Sequence, residues 1–390
     1  MTPTAARVAI EVSGHPVLVS CPDGSSADRL SVDMLAALAE ARAGRMQACF
    51  IRPPIVTSES LFALTSDDVP IVYGDGMAWA RARWSVSAAA QRWAERWRDG
   101  VASFWYEFGR EVRHYAGDHR LPAAVRSGAR DVAQRALARS NEPAAPVRQY
   151  PRRLLRDRVK TSLPPSLIEP ARAAARATGI ALDTPIVAID ARLEPDALSD
   201  ANAFLAQNGY SIVHVGPAFS LLDVFVLSTA RFVICASIDL QHVACLTNTP
   251  SLLLNAADPF IGYPVREDSV FTLPTVIDLD DGRALMRSEL LTESYFRKVR
   301  NCGFRANTAS EVRRAVEEMH DGVTHGWRDN EGQARFRTRV VDAGSALADR
   351  VQHVAEWGPD RGFIGDGRLA RFQAADVEAA LRRPSRNDTR

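Results

Sequence analysis

An α/β protein built from two Rossmann-like halves is what this sequence predicts, on three observations. The first is Arg231 to Asn255, RFVICASIDLQHVACLTNTPSLLLN, which reads as strand, polar turn, short helix and second strand within one short stretch. The second is the alternation of short apolar runs with helical patterns on either side of a Pro- and Arg-rich stretch. Alternation of that kind implies parallel sheets joined by right-handed crossovers. The third is length: 390 residues exceed one ordinary core, because domains mostly stop growing at roughly 100–200 residues.

The elements run as follows in chain order. Pro16 to Ser20 reads as an opening strand, CPDGSS as a turn, Ser31 to Ala43 as a helix, and Gln47 to Ile51 as a second strand that Pro53-Pro54 stops. Trp93, Trp97, Val101, Phe104 and Phe108 recur at three- and four-residue intervals and give a long helix one apolar face. Core packing accounts for those aromatics, and an acceptor-binding or membrane-facing surface is the alternative. Pro143, Pro146, Pro151, Pro164 and Pro165 then interrupt any helix. Beyond them come a helix ending at Gly179, a strand Ile186 to Asp190, a helix Leu198 to Gln207 and a strand Ser211 to Val215. The predicted division is 1–165, 166–330, a helical segment 331–375 packing back on the first half, and a disordered tail 376–390. A late helix from Gln333, followed by Trp357, Phe363 and Phe372, motivates the third part, since those aromatics need a surface to cover.

Composition narrows the class. Hydrophobic content of 46% with 24% charge is that of a globular chain. No run reaches the ~18 apolar residues of a membrane span, so a soluble, cytoplasmic protein is expected. Cys21, Cys49, Cys235, Cys245 and Cys302 are odd in number and scattered, with neither disulfide nor metal spacing. No metal and no cofactor are expected. Lys160 and Lys298 are the only lysines and neither follows a Gly-rich turn, which excludes a Walker-type phosphate loop.

Chemistry concentrates in the Arg231 to Asn255 unit. Ser237 and Asp239 can cap the helix that carries Gln241, His242 and Cys245, so that its free N–H groups point out of the end of the sheet. In doubly wound folds that position takes phosphate-bearing ligands. His242 lies inside the helix, where it serves structure or catalysis. Asn255 ends the next strand and either reaches a base or ribose or bonds only its own loop.

The same residues carry a resemblance to glycosyltransferases of the two-Rossmann-domain (GT-B) type, with a cleft between the domains. Strand, small residues, a helix with His and a Thr-Pro strand form a pattern similar to that of the ADP-heptose-type transferases and of a related bacterial group. NGYSIVHVG, Asn208 to Gly216, resembles that group's GY-x-V-I-R-x-G strand, and ANTASEVRRAVEEM, Ala306 to Met319, its N-T-x-E-E-I helix. Departures are Ile238 in place of Gly, His214 in place of Arg, and a short Gly216 to Leu221 link.

The resemblance implies a nucleotide-sugar donor as substrate and a cell-surface glycan or glycolipid as acceptor. It places Arg192, His214, Gly216, Ser237, Asp239, His242 and Asn255 at the donor, with Arg192 matching an Arg of the family's H-x-R strand end. It also implies a base from the N-terminal half, for which Asp23 in the CPDGSS turn is the acidic candidate; the alternative is an Asp that bonds only its turn. A retaining-type pair of Glu residues with seven residues between them is absent, which favours inversion. The alternative is a catalytically impaired relative that binds nucleotide or glycan, or scaffolds other transferases.

Charge is uneven although the net is +1: from Arg81 to Lys160 eighteen Arg or Lys face eight Asp or Glu. A solvated helical surface is the plain explanation. The sharper one is peripheral contact with an anionic membrane or a phosphorylated acceptor; nucleic acid is not expected, because no binding module accompanies the charge. On the membrane reading the protein sediments with anionic but not neutral liposomes. Binding weakens as salt rises, because each basic group contributes about 1 kcal/mol that salt screens. Equal partitioning into both vesicle types, or none into either, would leave only a solvated surface.

Overall fold

The computed structural model describes residues 6–12, 15–21, 27–51, 59–74, 159–216, 219–256, 266–347 and 367–374. Residues 7–75 and 150–390 belong to one compact unit, and residues 1–6 and 76–149 to another. The long aromatic helix, the basic segment up to residue 158, Trp357, Phe363 and the tail 376–390 lie outside the described residues.

The chain opens with β1 (Ala6–Val12), β2 (His15–Cys21), α1 (Ala27–Ala43), β3 (Gln47–Ile51) and β4 (Ile71–Gly74). They form a sheet in the order β1-β2-β3-β4, with β2–β3 and β3–β4 parallel. Strands β2 and β3 are the two that the apolar runs predict. The other two, β1 and β4, are additional; β1 carries the period-2 alternation Val8, Ile10, Val12. Leu30, Met34, Leu38 and Ala41 give α1 a buried stripe at helical spacing.

The second half runs α2 (Pro165–Ala177), β5 (Ile186–Asp190), α3 (Pro195–Gln207), β6 (Ser211–Val215), α4 (Leu221–Thr229), β7 (Phe232–Cys235), α5 (Ile238–Leu246), β8 (Ser251–Leu253) and β9 (Val270–Phe271). An antiparallel ribbon of β10 (Thr275–Asp278) and β11 (Cys302–Arg305) comes next, with α6 (Glu293–Lys298) between its strands. Then come α7 (Ala309–His325), α8 (Glu331–Leu347) and β12 (Arg368–Leu369). The predicted strands 186–190, 211–215 and 232–235 fall on β5, β6 and β7.

The second sheet has the order β12-β9-β8-β7-β5-β6, and every neighbouring pair is parallel. The expected α/β class with parallel sheets is therefore what the chain forms. Starting from β5, the sheet grows one way to β6 and the other way through β7, β8, β9 and β12. The direction reverses between β5 and β7, which makes their C-terminal ends the topological switch point.

Strand β5 is buried on both faces because it is central. Val187 and Ile189 pack with Leu198, Ala201, Val316 and Met319 of α3 and α7. Ile186 and Ala188 join the opposite core, which continues through Val226, Leu240 and Val243 to Leu18, Leu38 and Phe50. Helix α5 packs along α1. At about 1.5–3 kcal/mol for each fully buried large aliphatic side chain, this shared core binds residues of the two sheets into one unit.

The C-terminal segment extends the second sheet. Gln333 Nε2 donates to Glu318 Oε1 at 2.6 Å and to the Leu369 carbonyl at 2.7 Å, and the Arg371 N–H donates to Glu318 Oε2 at 2.6 Å. Gln373 brackets Leu273, accepting from its N–H at 2.8 Å and donating to its carbonyl at 2.7 Å. A return of 331–375 to the first half stays a proposal; among its described residues, Gln333, Arg368, Leu369, Arg371 and Gln373 make the contacts of this latch.

Glu318 is 5% exposed, and burial pushes its carboxyl above the usual value against the pull of Arg371 N–H and Gln333. The folded state therefore holds that proton more tightly than the unfolded chain. Stability from this group is greatest below the ordinary Glu value and declines as pH rises through the higher folded value. Glu318→Ala removes two short hydrogen bonds to a buried acceptor, so urea denaturation at neutral pH should show a loss of about 2 kcal/mol and a flatter dependence on acid pH. An unchanged midpoint would mean that the C-terminal segment is held by other contacts.

Candidate functional site

Strand β5 ends IVAID, four apolar residues and then an acid, so its last side chain is carried into the sheet end before the chain turns. Asp190 is 2% exposed. An ionised carboxylate there costs several kcal/mol unless donors surround it, and they do. Its Oδ1 accepts from the backbone N–H and Nε of Arg192 at 3.1 and 2.9 Å. Its Oδ2 accepts from Arg192 Nη2 at 3.0 Å, from the Ala236 N–H at 3.2 Å and from the Ser237 hydroxyl at 3.4 Å. Arg192 Nη2 also donates to Ser237 Oγ.

One carboxylate thus ties the end of β5 to the turn after β7, at the switch point. The guanidinium docks side-on through Nε and Nη2, the geometry that fixes its plane, while its side chain stays 39% exposed. Arg192 and Ser237 are therefore brought together at the place where ligands bind in open α/β sheets. Directly beneath, the Cys235 thiol is fully buried and pushed well above its ordinary value, by burial first and by the Asp190 charge second. It is packing, not a nucleophile.

Ser237 is the N-cap residue of α5, in extended conformation with φ −141° and ψ 156°, but its side chain makes no capping hydrogen bond. The expectation that its hydroxyl caps the helix is corrected: Asp190 and Arg192 offer a charged acceptor and donor, and charge-assisted bonds outweigh a neutral cap. The first N–H groups of α5 are left uncapped by Ser237. Asp239 is the second residue of α5 and its side chain lies outside the described ones. His242 sits half-buried on the next turn. Gln241 is fully buried, and among the described residues neither end of its amide has a hydrogen-bond partner.

The remaining expected residues are dispersed. His214 is exposed on the edge strand β6, where it helps to line a groove of about 330 Å³ with Thr178, Ile180, Ile212, Leu222 and Asp223. Among the described residues nothing lies within 4 Å of where a Cβ would stand on Gly216, so no close approach by them requires glycine there. The short link after it closes through Phe219, 2% exposed at φ 47°. A left-handed bulky residue costs roughly 1–2 kcal/mol, and the capping box of Ser220 with Asp223 follows at once.

Asn255 takes φ 54° and is engaged in neither of the two expected ways alone. Its N–H donates to Thr272 Oγ1 at 2.9 Å and its Oδ1 accepts from the Asn307 N–H at 2.8 Å, which ties β8 to the loop before α7. Asp23 lies outside the described residues. In the sequence Asp190 shows only as a strand end; the signal for it is the D-x-R spacing at the close of an all-apolar run. Among the described residues no group of three or more His, Cys, Asp or Glu is placed to hold a metal ion, and no helix is long and apolar enough to cross a membrane.

No protein-family model matches the chain, and no curated protein does. Among solved structures it is similar to E. coli ADP-heptose lipopolysaccharide heptosyltransferase II, with a TM-score of 0.30 and 11% identity over 66% of this chain and 84% of that one. It is also similar to E. coli heptosyltransferase WaaC with ADP-2-deoxy-2-fluoro heptose, with a TM-score of 0.27 and 15% identity over 63% of this chain and 90% of that one. Both are heptosyltransferases, the first named for ADP-heptose and the second seen with an ADP-heptose analogue. The geometry of Asp190, Arg192 and Ser237 is what bears on function.

Proposed function

We propose that the protein is an inverting glycosyltransferase, with the diphosphate of a nucleotide-sugar donor held at the C-terminal ends of β5 and β7. The single observation that carries this reading is the meeting of Arg192 with Ser237 beside the N-terminus of α5, at the switch point of a parallel sheet. When the glycosidic bond to the donor breaks, negative charge grows on the departing diphosphate. A guanidinium and a helix N-terminus, equivalent to roughly half a positive charge, are aimed where that charge develops and stabilise it without reorganisation. Ser237 links the two, and Asn255, His214 and Gly216 belong to the donor side on the resemblance alone.

The acceptor, a cell-surface glycan or glycolipid, loses a hydroxyl proton as it attacks. Asp23 is the base proposed for that step. Contact with the inner face of a membrane through the basic segment would bring a lipid-linked acceptor within reach. A second reading, a nucleotide- or glycan-binding relative without transfer activity, is favoured by one observation: Asp190 cancels the charge of Arg192.

Calorimetry with ADP, GDP, UDP, CDP and dTDP tests the site. At least one should bind the parent, and Ser237→Glu, which sets a negative charge against the phosphate, should abolish that binding while Arg192→Ala weakens it by about ten-fold or more. Binding unchanged in both variants, or no binding by the parent, would remove the assignment. A bound diphosphate with no turnover of the matching sugar nucleotides would select the second reading.

A further inference from the structure

We propose that Asp190 is the positioning residue of this site, setting the affinity for a nucleoside diphosphate through Arg192 without touching the ligand itself; the inference rests on the donor reading above. At 2% exposure its carboxylate is closed to a ligand arriving from solvent. Its effect must pass through the groups it holds. Three of its five hydrogen bonds come from Arg192, at 3.1, 2.9 and 3.0 Å, and the other two from Ala236 and Ser237 in the turn that starts α5.

Hydrogen-bond chemistry fixes the roles. A carboxylate only accepts and a guanidinium only donates, so the single Ser237 proton is turned toward Asp190 and the Ser237 oxygen receives Arg192 Nη2. Arg192, Ser237 and the head of α5 are thereby locked as one unit whose hub is the carboxylate. A long Arg side chain otherwise loses rotamer freedom when it engages a phosphate; here that ordering is already present before the ligand arrives. Asparagine cannot replace the hub, because its amide NH₂ would face either Arg192 Nε or the cluster of donors on Oδ2.

A purely structural Asp190 would lower stability and affinity regardless of which residue stands at 192. A positioning residue acts only while Arg192 is there. A double-mutant cycle of Asp190→Asn and Arg192→Ala, read as the Kd for whichever of the five nucleoside diphosphates binds the parent most tightly, separates the two. Melting temperatures are taken in parallel, and Asp190→Glu serves as the variant that keeps the charge while moving it.

Asp190→Asn should weaken binding by about ten-fold in the parent and by less than about two-fold when Arg192 is already alanine. Asp190→Glu should fall between parent and Asp190→Asn. Equal losses in both backgrounds, or Asp190→Asn binding as the parent does, would overturn the proposal while leaving the donor site in place. A parent that binds none of the five diphosphates overturns both.

Discussion

A buried carboxylate is the constraint on which the rest of this site depends. Asp190 sits at the end of the central strand β5, where the sheet changes direction of growth, and its desolvation must be repaid locally. The sequence supplies the repayment from two directions: Arg192 two residues on, and the Ala236-Ser237 turn after β7. Because β5 and β7 are parallel neighbours, with Ile189 opposite Ile234 in register, the two donors arrive at the same end of the sheet. The turn, the start of α5 and the Arg192 guanidinium are positioned together for that reason.

The same sheet explains why the site is rigid below and open above. Val187, Ile189, Phe232 and Ile234 are fully buried against α3 and α7, so the strand ends cannot drift without opening the core. Arg192 and Ser237 reach past it to solvent. A half-exposed guanidinium on a fully buried base is an arrangement suited to an anionic ligand, since the charge is fixed in direction yet accessible. The C-terminal latch around Glu318 and Gln333 adds β12 to the far edge and leaves the β5–β7 junction untouched.

Much of the fold was legible in local pattern. Strands β3, β5, β6 and β7 are readable because each is a short apolar run closed by turn chemistry, and α7 through the resemblance of Ala306 to Met319 to a family helix; the structure adds the capping box of Thr308 and Glu311. Strand β1 is not among the elements read from the sequence, which begin at Pro16, although residues 6–12 carry the alternation Val8, Ile10, Val12. In the site, Arg192 and Ser237 were identified and do meet. Asp190 was not, since a buried acid looks like a strand end until its donors from a distant turn are known. Ser237 was given a capping role on propensity alone, and a tertiary partner overrode it. The sequence could not show that His214 stands on the edge strand β6 or that Asn255 bonds the loop before α7, because both placements depend on distant residues.

On the proposed function, an anionic ligand settles beside Arg192 on the N–H groups at the head of α5 that the Ser237 side chain leaves uncapped. Backbone hydrogen exchange of residues 236–240, measured with and without a saturating nucleoside diphosphate, tests it most directly. Slower exchange at Ile238, Asp239 and Leu240 is expected when the ligand is bound, with the β6 edge unaffected. Unchanged exchange at the head of α5, with protection appearing instead along the groove at His214, would contradict it.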